Sequence, residues 1–221
     1  MLDENYIDRV FKDFSLALEK EGAPLPIVSQ IALGDNAPYK VLVSTVLSLR
    51  TRDSATAIAS EKLFKIASDI YQLDSLDLET LENAIKASGF YKRKAQQLKQ
   101  IARIIIEEYN GKIPCDMDKL MALPGVGLKT ASLVLNLGFD SDAICVDCHV
   151  HQICNRLGWI KTKTPEESEK ELRKILPKRF WISLNELLVR YGQHICTSIS
   201  PWCSKCPECN VCPKIGVARS R

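Results

Sequence analysis

The stretch Leu123-Pro124-Gly125-Val126-Gly127-Leu128-Lys129-Thr130-Ala131 separates a short amphipathic segment, Met117 to Ala122, from an apolar one running from Lys129 to Leu137. Both flanks have helical periodicity, so the pentapeptide between them reads as a hairpin joining two helices. Glycines at 125 and 127 let the backbone turn tightly and bring bare amide N–H groups to the start of the second helix. The helix dipole adds partial positive charge there, so such a turn can hold an anion with no side chain at all. A plain helix-turn-helix corner would use the same glycines. Lys129 sets this stretch apart. In the first turn of an otherwise hydrophobic helix, dipole and desolvation both oppose its charge and favour the neutral amine, which is a nucleophile. A lysine that only extends to solvent is the alternative.

Outward from the hairpin, apolar residues recur at helical spacing and no segment alternates over a sustained run, so the chain reads as all-α. Ile7, Val10, Phe11, Phe14 and Leu18 form one stripe, and Leu98, Ile101, Ala102 and Ile105 another; both are core faces. Pro38 opens the apolar run Val41 to Leu49, and Asn110-Gly111 marks a turn. Thr164, Pro165 and Glu167 have the spacing of a capped helix start, predicting a helix to about Leu176 before Pro177 and a last long helix over 180–193. Asp147, in Ile144-Cys145-Val146-Asp147-Cys148-His149, is placed to cap a helix through Ile153 and Leu157. Capping also keeps a carboxylate ionised, which suits a group that stabilises a cationic transition state or accepts a proton.

The 221 residues, 46% hydrophobic and 26% charged, exclude a disordered chain and suffice for one large domain or two small ones. No stretch approaches the ~18 apolar residues of a spanning helix, and Met1-Leu2-Asp3-Glu4-Asn5 lacks the basic start of a secretion signal, which points to the cytosol or nucleus. Thiols in such a compartment favour metal or cluster ligation over disulfides, and five of the nine cysteines (Cys196, Cys203, Cys206, Cys209, Cys212) crowd the last 26 residues. Both an iron-sulfur cluster and structural zinc accept such thiolates. A net charge of +3 is too small to imply a polyanionic partner, but its distribution is uneven. Asp69 to Glu82 carries five acids and no base, while Lys86 to Arg103 carries six bases and no acid. That is either two solvated faces or one face turned toward phosphates.

Leu-Pro-Gly-Val-Gly-x-Lys-Thr-Ala at 123–131, Val-Asp-x-His at 146–149 and the C-terminal cysteine spacing together resemble the endonuclease III family, over about Pro38 to Cys212. These are bifunctional DNA glycosylase/AP lyases of the helix-hairpin-helix superfamily. The resemblance implies excision of damaged, oxidised pyrimidines from double-stranded DNA and nicking at the abasic site. It makes Lys129 the nucleophile on C1′ and Asp147 the carboxylate that supports departure of the base. Leu123, Gly125, Val126 and Gly127 would meet DNA through the hairpin. A base inside a duplex must be extruded and its gap filled. Where the family has a glutamine in Leu-Ser-x-Gln-x-x-Asp, this chain reads Leu47-Ser48-Leu49-Arg50-Thr51-Arg52-Asp53, which makes Arg50 the filler and departs from the common pattern. Phe90 corresponds to a second wedge, unless it is a core aromatic, and Lys92, Arg93 and Lys94 would lie near the DNA backbone. The family's cluster spacing selects Cys196, Cys203, Cys206 and Cys212 for a [4Fe-4S] cluster and leaves Cys209 spare; Cys203, Cys206, Cys209 and Cys212 form a second possible set. The family's first cluster loop carries DNA-contacting bases, but Thr197-Ser198-Ile199-Ser200-Pro201-Trp202 has no charge.

The expected architecture is therefore all-α: a six-helix lobe over 27–138 containing the hairpin, and a discontinuous iron-sulfur lobe from 1–26 with 139–221, with DNA between them and Lys129 and Asp147 facing across the cleft. The expected partner is double-stranded DNA with damaged bases or abasic sites, bound by a monomer without membrane association, beside chromosomal DNA in the cytoplasm of a prokaryote or the nucleus of a eukaryote. A mismatch-directed thymine or uracil glycosylase is the alternative, because Arg50 departs from the pyrimidine-damage pattern. Adenine removal is disfavoured, since Thr45 stands where that branch has a glutamate. A non-catalytic binding module would not need Lys129 with Asp147, and an electron carrier would not need the hairpin.

Overall fold

The computed structural model describes residues 3–221, so Met1 and Leu2 of the N-terminal stretch lie outside it. Among the described residues every regular element is helical, and no helix is long and apolar enough to cross a membrane. The chain divides into two compact units: the residues up to Pro26 with Asp142–Arg221, and Ile27–Ser141. The second division falls beyond Gly138 because Ser141 N–H bonds back to Leu135 O and Asp140 N–H to Asn136 O, both at 3.0 Å.

In the discontinuous unit, α1 (Glu4–Lys20) starts at Asp3, whose carboxylate accepts from Tyr6 N–H. Its apolar stripe is buried at Ile7, Val10, Phe14 and Leu18, with Phe11 packed at the margin. The hairpin unit follows with α2 (Ile27–Ala32), α3 (Ala37–Ser48), α4 (Asp53–Ile66), α5 (Ile70–Ser75), α6 (Leu78–Ala84), α7 (Tyr91–Tyr109), α8 (Met117–Ala122) and α9 (Leu128–Leu133). The chain then returns to the first unit as α10 (Cys148–Arg156), α11 (Pro165–Ile175) and α12 (Trp181–His194). Where six helices were expected in the hairpin unit, its described residues form eight α-helical segments, because several are only one or two turns long.

In the hairpin unit α3 is central. Val41, Leu42, Val43, Val46 and Leu47 are all fully buried, which explains why its sequence is apolar all round. Each such side chain contributes about 1.5–3 kcal/mol by leaving water. One face of α7 (Ala95, Leu98, Ile101, Ala102, Ile105) is buried. Its C-terminus closes where Asn110 and Gly111 adopt positive φ and Gly111 N–H reaches Ile105 O. The acidic run is largely local chemistry: Asp69 and Asp77 cap α5 and α6, and Asp74 pairs with Lys99 at 3.8 Å. Lys99 also donates to Leu76 O, so part of the base-rich run is engaged internally as well.

In the other unit α1, α10, α11 and α12 enclose a core in which the Phe14 and Tyr191 rings stack at 3.7 Å. Thr164 caps α11 and Glu167 reaches back to Lys163 N–H at 2.8 Å. Pro177 then breaks the chain into a 3-10 turn, Lys178–Phe180, before α12.

Candidate functional site

The hairpin is built as a tight turn backed by α7. Gly125 has φ +67°, and a Cβ there would lie 2.6 Å from Nε2 of Gln97, which donates to Pro124 O at 2.8 Å. A Cβ on Gly127 would meet nothing within 4 Å, so that corner borders open space. Leu123 and Val126 hold the turn from the core side. Their side chains are buried and their amides donate to Leu120 O and Leu123 O, both at 3.1 Å, so the exposed positions are Gly125 and Gly127.

Lys129, the second residue of α9, is exposed. Burial therefore does not oppose its charge, contrary to the expectation from the sequence. The residues after it, Thr130 to Asn136, are buried, and the helix widens at Val134–Gly138 into a π turn rather than continuing as α to Leu137. Such turns recur at functional sites. Here the wider turn brings Gly138 so close to Pro38 that a Cβ would lie 2.9 Å from the proline Cα.

Arg50 and Phe90 are both exposed, and both have left-handed backbones, with φ 53° and 57°. Phe90 is 63% exposed, so it is not a core aromatic. Lys92 and Arg93 are exposed on the first turn of α7. Lys94 is not, which corrects its expected place beside the DNA backbone. One residue along a helix rotates the side chain by about 100°, and Lys94 points inward, 5% exposed, donating to Leu47 O, Leu49 O, Thr51 Oγ1 and Ser88 Oγ. Burial pushes its ammonium down to about 8. Thr45, at the position discussed for adenine removal, is buried in α3.

In the other unit Asp147 is the N-cap of α10, its Oδ1 accepting from His149 N–H at 2.9 Å and Val150 N–H at 3.0 Å. It is 7% exposed. Two residues of α12 that carry no sequence signal of their own hold this corner. Asn185 donates to Cys145 O at 3.3 Å, and Gly192 leaves room for the His149 ring, whose Nδ1 would lie 2.3 Å from a Cβ. Asp147, Cys148 and His149 bring ligand-type atoms within 4.8 Å of one another. All three come from one helix start and Oδ1 already holds two amides, so the group caps the helix rather than enclosing an ion.

The tail's five thiols line one cavity together with Arg156, Tyr191 and Trp202. Burial pushes the Cys206 thiol up to about 11 and also raises Cys196 and Cys212. A structural zinc takes four thiolates at about 2.3 Å, and a cubane takes one at each of four separate corners. N–H groups already point at the sulfurs: Arg156 at Cys196 Sγ (3.3 Å) and Lys214 N–H at Cys212 Sγ (3.4 Å). The donor set thus fits a four-iron cluster, which takes four of these five thiolates.

Arg156, buried in α10, also donates to the carbonyls of Cys196, Thr197 and Ser198 and so shapes the loop that lacks charge of its own. Charge returns to that loop from elsewhere, with Lys205 and Arg221 over the Trp202 ring at 5.0 and 3.9 Å. A buried Glu208 ties the tail to α1 through Arg9 at 2.8 Å. Apart from Lys205, three residues after Trp202, these contacts join residues far apart in sequence and were not visible in it.

The family model described as HhH-GPD superfamily base excision DNA repair protein matches residues 43–178. Endonuclease III of Thermotoga maritima is 47% identical over 175 residues, covering 79% of this chain and 82% of that protein. Endonuclease III homolog 2, chloroplastic, of Arabidopsis thaliana is 39% identical over 95% of this chain, which spans 58% of the longer plant protein. A solved structure of a trapped endonuclease III–DNA covalent intermediate, an estranged-adenine complex, superposes with a TM-score of 0.82 at 31% identity over 97% of each chain. The chain belongs to the endonuclease III family, within the HhH-GPD superfamily of base excision DNA repair proteins.

Proposed function

We propose that the chain is a bifunctional DNA glycosylase and AP lyase of base excision repair, acting on oxidised or otherwise damaged pyrimidines in double-stranded DNA. The observation that carries this reading is Lys129: an exposed amine two residues past the open corner of a hairpin suited to phosphate, in a family with a member trapped covalently on DNA.

In this reading the Lys129 amine attacks C1′ of the damaged nucleotide as the base departs with the glycosidic electron pair, and Asp147 stabilises the positive charge that develops on the sugar. The nitrogen then loses its proton and the sugar ring opens to an imine. That imine acidifies the C2′ proton, whose removal expels the 3′ phosphate by β-elimination. Water releases the lysine. Gly125 and Gly127 hold a backbone phosphate by main-chain amides, which positions the strand without reading its sequence. Arg50 and Phe90 enter the space left by the extruded nucleotide, while Lys92 and Arg93 neutralise phosphates.

A [4Fe-4S] cluster on Cys196, Cys203, Cys206 and Cys212 supplies, when bound, a cross-link between the end of α12 and the tail. The partner is double-stranded DNA carrying damaged bases or abasic sites, bound by a monomer, beside chromosomal DNA in the cytoplasm of a prokaryote or the nucleus of a eukaryote.

Borohydride reduction should trap the wild-type chain on duplexes carrying a damaged pyrimidine, and Lys129→Ala should abolish the adduct while still binding the duplex. A wild-type chain that never traps would overturn the lysine mechanism. A panel of duplexes with one lesion or mismatch each separates damaged-pyrimidine excision from mismatch-directed thymine or uracil removal, which Arg50 keeps in view.

A further inference from the structure

Lys94 is a buried cation whose partners come from two separate stretches of chain. Its Nζ lies 2.7 Å from Leu47 O, 2.7 Å from Leu49 O, 2.9 Å from Thr51 Oγ1 and 2.9 Å from Ser88 Oγ. The carbonyls belong to the C-terminal end of α3, where helix carbonyls lack intrahelical donors and the dipole is negative, so a cation is favoured there. The same stretches bond to each other directly. Ser88 Oγ donates to Leu47 O at 2.9 Å and Gly89 N–H to Thr51 Oγ1 at 3.1 Å. They approach so closely that a Cβ on Gly89 would sit 3.0 Å from Arg50 O.

What the network encloses is selective. Leu49 and Thr51 flank Arg50, and Ser88-Gly89 precede Phe90, so the ammonium holds the Leu49 carbonyl and the Thr51 hydroxyl on either side of one exposed side chain and the Ser88 hydroxyl two residues before the other. Both of those residues hold left-handed backbones, a conformation unfavourable for a non-glycine residue that persists only where surroundings impose it.

We propose that Lys94 is a positioning residue for base extrusion. By clamping Leu47, Leu49 and Thr51 against Ser88, it presents Arg50 and Phe90 as one rigid head that enters the duplex where the nucleotide leaves. This rests on the glycosylase reading above. A lysine that served only to fold the hairpin unit would matter equally for every substrate, whereas a lysine that shapes the insertion head matters only where a stacked duplex must be opened.

The test compares wild type with Lys94→Met, which keeps an unbranched apolar stem, one atom shorter, and removes the donors. Three measurements are made: fluorescence of 2-aminopurine beside a lesion in duplex DNA, single-turnover base release from that duplex, and borohydride trapping at an abasic site in single-stranded DNA, where nothing must be unstacked. The extrusion signal and duplex base release should fall on the order of a hundredfold, as a misplacement of about 1 Å far from the chemistry can cause, with single-strand trapping nearly unchanged. Equal loss on both substrates, or no loss on the duplex, would overturn the proposal. Ser88→Ala removes one partner while keeping the ammonium; it should show the same duplex-selective loss at smaller size, and stands in if Lys94→Met does not fold. Failure of wild type to trap at an abasic site in duplex DNA would instead sink the lyase reading itself.

Discussion

Asp147 carries two burdens that one pair of substitutions can separate. Its Oδ1 accepts the amides of His149 and Val150 at the start of α10, and the residue is 7% exposed. Asp147→Ala removes both bonds. Loss of a cap costs about 1 kcal/mol on average and up to about 2. The Val150 amide is buried and has no water to turn to, so the upper figure applies, near 2 kcal/mol. In a chain of this size about 1 kcal/mol moves the melting temperature by about 2–4 °C, which gives a fall of roughly 4–8 °C. Asp147→Asn keeps an oxygen in the same place. It caps about as well as aspartate and loses only the charge–dipole attraction, at most ~1 kcal/mol. The chemistry ranks them differently, since neither can stabilise positive charge on the sugar. Both should lose base release by about 10²–10³-fold, the size of one preorganised electrostatic group. Thermal melts and single-turnover base release on one damaged duplex give both numbers. An Asp147→Asn protein that releases base at nearly the wild-type rate would refute the assignment of charge to this carboxylate, and an Asp147→Ala protein that melts with wild type would refute the capping energetics.

The two cysteine sets predict opposite outcomes: Cys209→Ser should leave visible cluster absorbance and iron content intact, while Cys196→Ser should lose both. With the Lys94 pKa near 8 when folded and 10.5 otherwise, the folded chain releases that proton first. Stability should then rise with pH between these values, while the 2-aminopurine extrusion signal falls as pH passes about 8, because a neutral amine turns a lone pair toward carbonyl oxygens. Gly138→Ala and Gly192→Ala should each cost about 1–3 kcal/mol in urea melts through overpacking. Only Gly192→Ala, which displaces the His149 ring beside Asp147, should also slow base release.

The sequence alone carried everything that depends on local periodicity or on residue type at fixed spacing. The all-helical class, the stripe of α1, the α11 cap, the Asp147 cap and the hairpin glycines all follow from contacts within a few residues along the chain. The cysteine tail was legible for the same reason, since its donors lie within one loop. Tertiary packing decided what such spacing cannot express. It turned Lys94 inward while its neighbours Lys92 and Arg93 stayed out, because the orphan carbonyls of α3, more than forty residues earlier, offered acceptors. It exposed Lys129, widened the helix after it so that Gly138 could meet Pro38, and brought Gln97, Asn185 and Gly192 behind the site residues. Helix and turn signals are written in near-neighbour hydrogen bonds, whereas burial and long-range partners arise only when distant segments compete for the same space and the same unsatisfied polar groups.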